Sequence, residues 1–322
     1  MKKIAILILC LTSATLTINA QNYNHEFGKF SLEEFQLKKY DKDPAAEAVV
    51  IYDIGTSFFT RDDNGFKLIF DRKMKIKIFN KAGLKWAQQS IPFYEENSQA
   101  EVIVDLKGNT YNYENGQVKI SALDPKNSYN EKYNEHWFDK KFAMPDVKEG
   151  SIIEIYYRVV SPYLFNLRSW EFQCGIPVIY SEYTTKMIPF YEYVYIIQGT
   201  SKFDAFKTYT ESSSTSPFGL ITYDDVVYFF AMKDVPAFKD ESFITTSDDY
   251  IIKLDFQLSA IHHPGGANQS IMSTWPKLSE EMIDHASFGK YMNNCKKKGK
   301  EISDTMNIAS KSLTDKAKYI EH

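Results

Sequence analysis

The stretch Lys73-Met74-Lys75-Ile76-Lys77-Ile78-Phe79 decides the fold class. Met74, Ile76 and Ile78 alternate with three lysines, a period of two that belongs to a half-buried β-strand. On this reading the lysines form a solvated sheet face. Upstream, Val49-Val50-Ile51-Tyr52 and residues 57–60 are further strands, and Asp62-Asp63-Asn64-Gly65 supplies a tight turn before residue 73. Downstream, Lys81-Ala82-Gly83 turns the chain and residues 101–106 form a strand ended by Lys107-Gly108-Asn109. Residues 110–113 and 117–120 then flank Glu114-Asn115-Gly116, a hairpin turn that tolerates positive backbone angles.

The same pattern continues at longer range. Residues 121–143 read as polar and irregular, and Met144-Pro145-Asp146-Val147-Lys148-Glu149-Gly150 as a turn. In the strand at 151–160, Ile153, Ile155, Tyr157 and Val159 share one face, with Glu154, Tyr156 and Arg158 on the other. Pro162 ends it, because proline cannot donate to a ladder. Further strands are expected at 170–174, 177–187, 191–197, 225–232 and 250–259, with a Ser-rich loop at 211–217. After His262-His263-Pro264-Gly265-Gly266 the period changes: Pro276 suits a first helical turn, and Leu278, Met282 and Ile283 recur at helical spacing. Lys296 to Lys300 reads as a basic turn, and Thr314-Asp315 as another helix start.

The fold class that follows is mainly β, a two-faced β-sandwich with a short helical C-terminal segment. Residues 1–20 read as a signal peptide: Lys2 and Lys3, an apolar run over 4–11, and a small exit residue at Ala20. Residues 21–270 form the β region, with room for two subdomains, and 271–322 the start of a helical subdomain. Export places the chain in the periplasm or outside the cell. The apolar run is well short of the roughly 20 residues that span a bilayer, so no span remains after cleavage.

Removing residues 1–20 leaves 36 basic and 42 acidic residues, a net charge of -6, since two lysines and no acids depart from the 38 and 42 of the full chain. Such a balance offers no general attraction to nucleic acid. Cys174 and Cys295 alone survive processing, too few for a disulfide scaffold; Cys174 reads as a small apolar filler. The aromatic content, 15% with 22 Tyr and 23 Phe, suits pleated packing surfaces and equally a sugar-binding face.

No catalytic, metal or cofactor residue emerges from spacing. The chain contains no Gly-x-Ser-x-Gly elbow, His-Glu-x-x-His helix or phosphate loop. His262 and His263 are adjacent beside a turn and lack a converging third ligand. His285 lies ten residues before Cys295, about 15 Å along one straight helix, too far for proton transfer. The pairs Asp62/Asp63, Glu95/Glu96, Asp224/Asp225 and Asp248/Asp249 would point to opposite strand faces, unlike the opposed acids of a glycosidase. Lys296-Lys297-Lys298-Gly299-Lys300 has no interleaved aromatic platform and reads as a solvated linker. Tyr191, Tyr193 and Tyr195 share a strand face and form a candidate ligand-stacking stripe, although the same alternation describes a core face, the favoured reading.

Five stretches carry a resemblance: residues 72–83, residues 144–157, Trp170-Glu171-Phe172-Gln173, residues 177–183, and Val235-Pro236-Ala237-Phe238-Lys239-Asp240-Glu241. In order and spacing they resemble the domain of unknown function 3857, common in exported proteins of Bacteroidetes. The resemblance covers roughly residues 49–259. It implies a mainly β fold, an immunoglobulin-like β-sandwich, preceding a transglutaminase-like domain, whose opening residues 273–276 and 315–322 resemble. That domain's cysteine would come later, so Cys295 inherits no role. The resemblance transfers no catalytic or ligand residue. The expected role is a non-catalytic module that positions a downstream transglutaminase-like domain or its polymer substrate. The alternatives are a carbohydrate- or peptide-binding module and a cysteine-dependent enzyme.

Overall fold

A computed structural model describes residues 25–165, 167–213, 222–239, 245–263, 265–306 and 312. The signal-peptide reading and the helix start at Thr314-Asp315 fall outside them, as do parts of the loops at 211–217 and 235–241. In chain order the elements are α1 (Leu32–Gln36), β1 (Ala48–Asp62), β2 (Gly65–Ile78), β3 (Gln88–Glu96), β4 (Gln99–Ala100), β5 (Val102–Glu114), β6 (Gln117–Ala122), β7 (Tyr129–Lys132) and β8 (Trp137–Ala143). There follow β9 (Ile152–Ser161), β10 (Trp170–Glu171), β11 (Val178–Met187), β12 (Tyr191–Gln198), β13 (Ala205–Ser212), β14 (Asp224–Val235), β15 (Lys253–Ile261), β16 (Gln269–Ser270), α2 (Trp275–Asp284) and α3 (Gly289–Met306).

Two compact units divide the chain: residues up to Ile188 with Tyr195–Phe256, and Pro189–Val194 with Gln257 onward. The first holds an eight-stranded sheet in the order β13-β14-β11-β1-β2-β9-β5-β6. Its pairings are antiparallel except for β1 with β11, which run parallel. The turns that the sequence announces are in place. Asn64 N donates to Asp62 Oδ1 at 2.9 Å in the β1–β2 turn, and Asn115 and Gly116 take φ of 52° and 81° between β5 and β6.

One face of this sheet carries the main apolar cluster, which includes Ile76, Ile78, Ile153, Ile155 and Val159. Trp170 of β10 stacks on Tyr183 of β11 with centroids 5.0 Å apart and planes 4° from parallel, and its Nε1 donates to Ser181 Oγ at 3.0 Å. Gly55 of β1 is required beneath it: a Cβ there would fall 2.3 Å from the indole ring. A smaller sheet, ordered β4-β3-β8-β7, adds Ile91 and Phe142 to the same cluster. The mainly β, stacked-sheet expectation therefore holds, as does the helical C-terminal segment. The strand order by itself establishes no immunoglobulin-like character.

Three local expectations need correction. Residues 101–113 are not two strands: β5 runs through Lys107-Gly108-Asn109, with a bulge at Asp105 (φ 55°) that lets the ladder resume. Residues 121–143 are not irregular, since β7 and β8 form there. Lys296 to Lys300 are not a turn but part of α3. Composition alone hid these, because polar residues on exposed strands and helices look like loop residues.

In the second unit, β16 pairs with the end of β15 through Ala260–Ser270 and Ile261–Gln269. Thr274 caps α2 by accepting from Lys277 N at 3.5 Å, and Pro276 sits in its first turn, as expected. Leu278, Met282 and Ile283 are exposed.

Candidate functional site

The lysine face of β2 is the largest departure from the sequence reading. Lys75 and Lys77 are 0% and 1% exposed, so this part of the sheet is a buried polar interior and not a solvated face. The cover is the segment from His25 to Leu37, which includes α1. Ser31 begins that helix with a capping box: its Oγ accepts from Glu34 N, and Glu34 Oε2 accepts from Ser31 N, each at 3.3 Å.

Register assembles the cluster. Tyr52 of β1 lies opposite Lys75 of β2, Lys75 opposite Glu154 of β9, and Glu154 opposite Asn109 of β5. Opposed residues share a sheet face, so one row across four strands brings a phenol, an ammonium, a carboxylate and an amide together. Glu154 accepts from Tyr52 Oη, from Tyr111 Oη at 2.5 Å and from Gly28 N at 2.8 Å. Lys75 Nζ donates to Lys29 O at 2.6 Å and lies 3.3 Å from Glu34 Oε1 and 3.6 Å from Glu154 Oε1. Burial raises the pKa of Glu34, opposed by Lys75. Burial and the Glu154 carboxylate likewise hold the Tyr52 phenol far above its usual range, and burial with a hydrogen bond to Glu154 raises that of Tyr111.

Lys77 has a different environment. Its Nζ donates to Gly150 O at 2.7 Å and Phe35 O at 3.3 Å. Burial, with Lys38 nearby, pushes its pKa down to about 8 against a weaker pull from Glu34. His25 stacks on Tyr180 at 5.0 Å and tilts against Tyr52 at 5.1 Å, and burial followed by Lys73 and Lys75 lowers its pKa. Chemically, this constellation ties ions and phenols to one another and to the covering segment. Glu154 and Lys75 have no exposed surface through which to meet a substrate.

The residues singled out from sequence lie elsewhere. Tyr191 and Tyr193 are partly buried, and burial raises the pKa of both phenols. Tyr195 is 38% exposed and meets Phe230 at 5.5 Å, Tyr228 at 6.0 Å and Phe206 at 6.4 Å. His262 Nε2 lies 2.9 Å from Glu192 Oε2. Cys174 is partly buried against the apolar cluster, and burial pushes its thiol up to about 11; Cys295 is an exposed free thiol on α3. Among the described residues, no group of three or more His, Cys, Asp or Glu could hold a metal ion. Sequence reasoning missed Lys75, Glu154, Glu34, Tyr52 and Tyr111, although a period-two lysine strand and a Glu-bearing strand face were both visible.

No family model matches the chain. No curated protein matches it either. Among solved structures, one described as a "putative protease" from Parabacteroides distasonis ATCC 8503 aligns with a TM-score of 0.48 and 12% identity, over 65% of this chain and 40% of that one. The chain thus spans about 40% of that protein's length, and at this TM-score the likeness carries no argument about activity.

Proposed function

We propose that this chain is an exported, non-catalytic β module of the domain of unknown function 3857 type, which positions a downstream transglutaminase-like domain or its polymer substrate. One observation carries this reading: the deepest convergence of ionisable side chains, Lys75 with Glu34 and Glu154, is closed over by residues 25–37 and consumed in internal ties. A buried ion row of that kind fits a role in fixing the register of a scaffold, and its own ions do not face solvent. Three of the five stretches of family resemblance run through the same sheet: residues 72–83 through β2, 144–157 through β9 and 177–183 through β11.

The test is an activity screen of the purified chain against peptide amides and glycans. No turnover is expected, and none of the background should change in Cys295→Ala. Turnover abolished by that substitution would establish the cysteine-dependent enzyme instead. Cell fractionation with mass spectrometry checks the export half: the expected product lacks residues 1–20 and appears outside the cytoplasm. A second reading, a carbohydrate- or peptide-binding module, draws support from Tyr195, which is partly exposed and meets the rings of Phe206 and Phe230. Tyr193→Ala tests that reading: lost ligand retention with unchanged melting favours binding, and a fall in melting temperature favours packing.

A further inference from the structure

The small sheet of β3, β7 and β8 has two unlike faces. Ile91 and Phe142 point into the apolar cluster, and the alternate positions carry Gln88, Ser90, Tyr129 and Lys141. Register sets Ser90 opposite Lys141 and Lys141 opposite Tyr129, a single row across three strands. Gln88, opposite Ala143, begins the next row. With Asn127 from the turn before β7, these side chains line a groove of about 460 Å³. That volume lies within the range of small-ligand sites.

The lining has a consistent chemistry. Lys141 is 2.8 Å from Glu131 Oε2, so its charge is already matched. Gln88, Ser90 and Asn127 are exposed, and present two amides and a hydroxyl that offer both donors and acceptors. Tyr129 is 61% exposed and supplies an apolar ring with a polar tip at the groove's side. An anionic ligand finds no unmatched cation here. An extended peptide is recognised mainly by backbone groups along a sheet edge, whereas this groove offers side chains on a sheet face.

We propose that this groove binds a neutral sugar chain. The amides of Gln88 and Asn127 and the Ser90 hydroxyl hydrogen-bond to sugar hydroxyls, and the Tyr129 ring covers the C–H face of one sugar. The groove uses none of the residues of the Tyr191–Tyr195 row. It gives a chemical class to the polymer in the positioning role, on which it rests to that extent, but it is tested by binding alone. A failed binding experiment leaves the result of the activity screen untouched, and the reverse also holds.

The experiment titrates the whole chain with cellohexaose, maltohexaose and mannohexaose, using isothermal calorimetry, with polygalacturonate and pentaalanine as comparisons. Saturable binding of at least one neutral hexaose is expected, weakened about tenfold or more by Tyr129→Ala and by the double variant Gln88→Ala/Asn127→Ala, at unchanged melting temperature. The proposal is overturned by the absence of saturation with all three up to about 10 mM, a range that reaches very weak affinities. It is equally overturned by binding that both variants retain, or by preference for the acidic polymer or the peptide.

Discussion

At the scale of single residues, Glu154 concentrates the most consequence. It faces one ammonium, two phenols and a backbone amide, all drawn from different parts of the chain. Glu154→Ala would leave the Tyr52 and Tyr111 hydroxyls without their acceptor and Lys75 with Glu34 as its remaining carboxylate. Breaking a buried pair on one side costs about 3–5 kcal/mol, so urea unfolding should show a loss of that order. Adding Lys75→Met together with Glu34→Gln should recover part of it, since no unpaired ion then remains in the row; a further loss of similar size would refute the pairing. His25 gives a pH signature. Its folded pKa lies below the unfolded 6.5, so its contribution is fully present above 6.5 and is lost as pH falls through the folded value. Glu34, whose pKa is raised, acts in the opposite sense, favouring the fold increasingly as pH falls toward 4.5. His25→Gln isolates the first effect: its stability should decline less than the parent's between pH 7.5 and 5.5, and parallel curves would exclude the assignment.

At the scale of elements, the instructive case is the covering segment. The sequence made β2 legible from its alternation, and it made both hairpins legible from Asp-Asn-Gly and Asn-Gly chemistry. It did not reveal that Lys75 and Lys77 are buried, because alternation says only that two faces differ. Which face is covered depends on residues some forty positions upstream, and the row from Tyr52 to Asn109 depends on a register that no local pattern encodes. The cover is held by α1, whose five residues are too few to persist without tertiary contacts. Ser31 is therefore a sensitive position, since its capping box orients the same Glu34 carboxylate that meets Lys75. Ser31→Ala should cost about 1 kcal/mol and speed hydrogen exchange at the Gly28 amide more than at amides of β11. Uniform acceleration across both would show that the segment does not open as a separate piece.

At the scale of the whole molecule, the apolar cluster follows from fitting one layer of side chains onto another. The aromatic abundance already pointed to packed sheets, and Trp170, Phe172 and Tyr183 lie where that abundance is needed. The sugar groove was not legible, because Gln88, Ser90, Asn127 and Tyr129 become neighbours only once β7 and β8 fold from residues that look like loop. Gly55 measures how closely the layers fit. Its lack of a Cβ is what admits the Trp170 ring, which is also covered by the Arg72 guanidinium at 5.2 Å and held through Ser181. Arg72 in turn donates to Asp53 at 2.8 and 2.6 Å, so the indole is wedged between an ion pair and Tyr183 and has little freedom to retreat. Overpacking of this kind typically costs about 1–3 kcal/mol. Gly55→Ala should therefore lower the melting temperature, and Trp170→Leu in the same chain should make the added methyl less harmful than it is alone. The coupling between the two substitutions is the measurement: strictly additive losses would mean that the ring and the glycine do not meet.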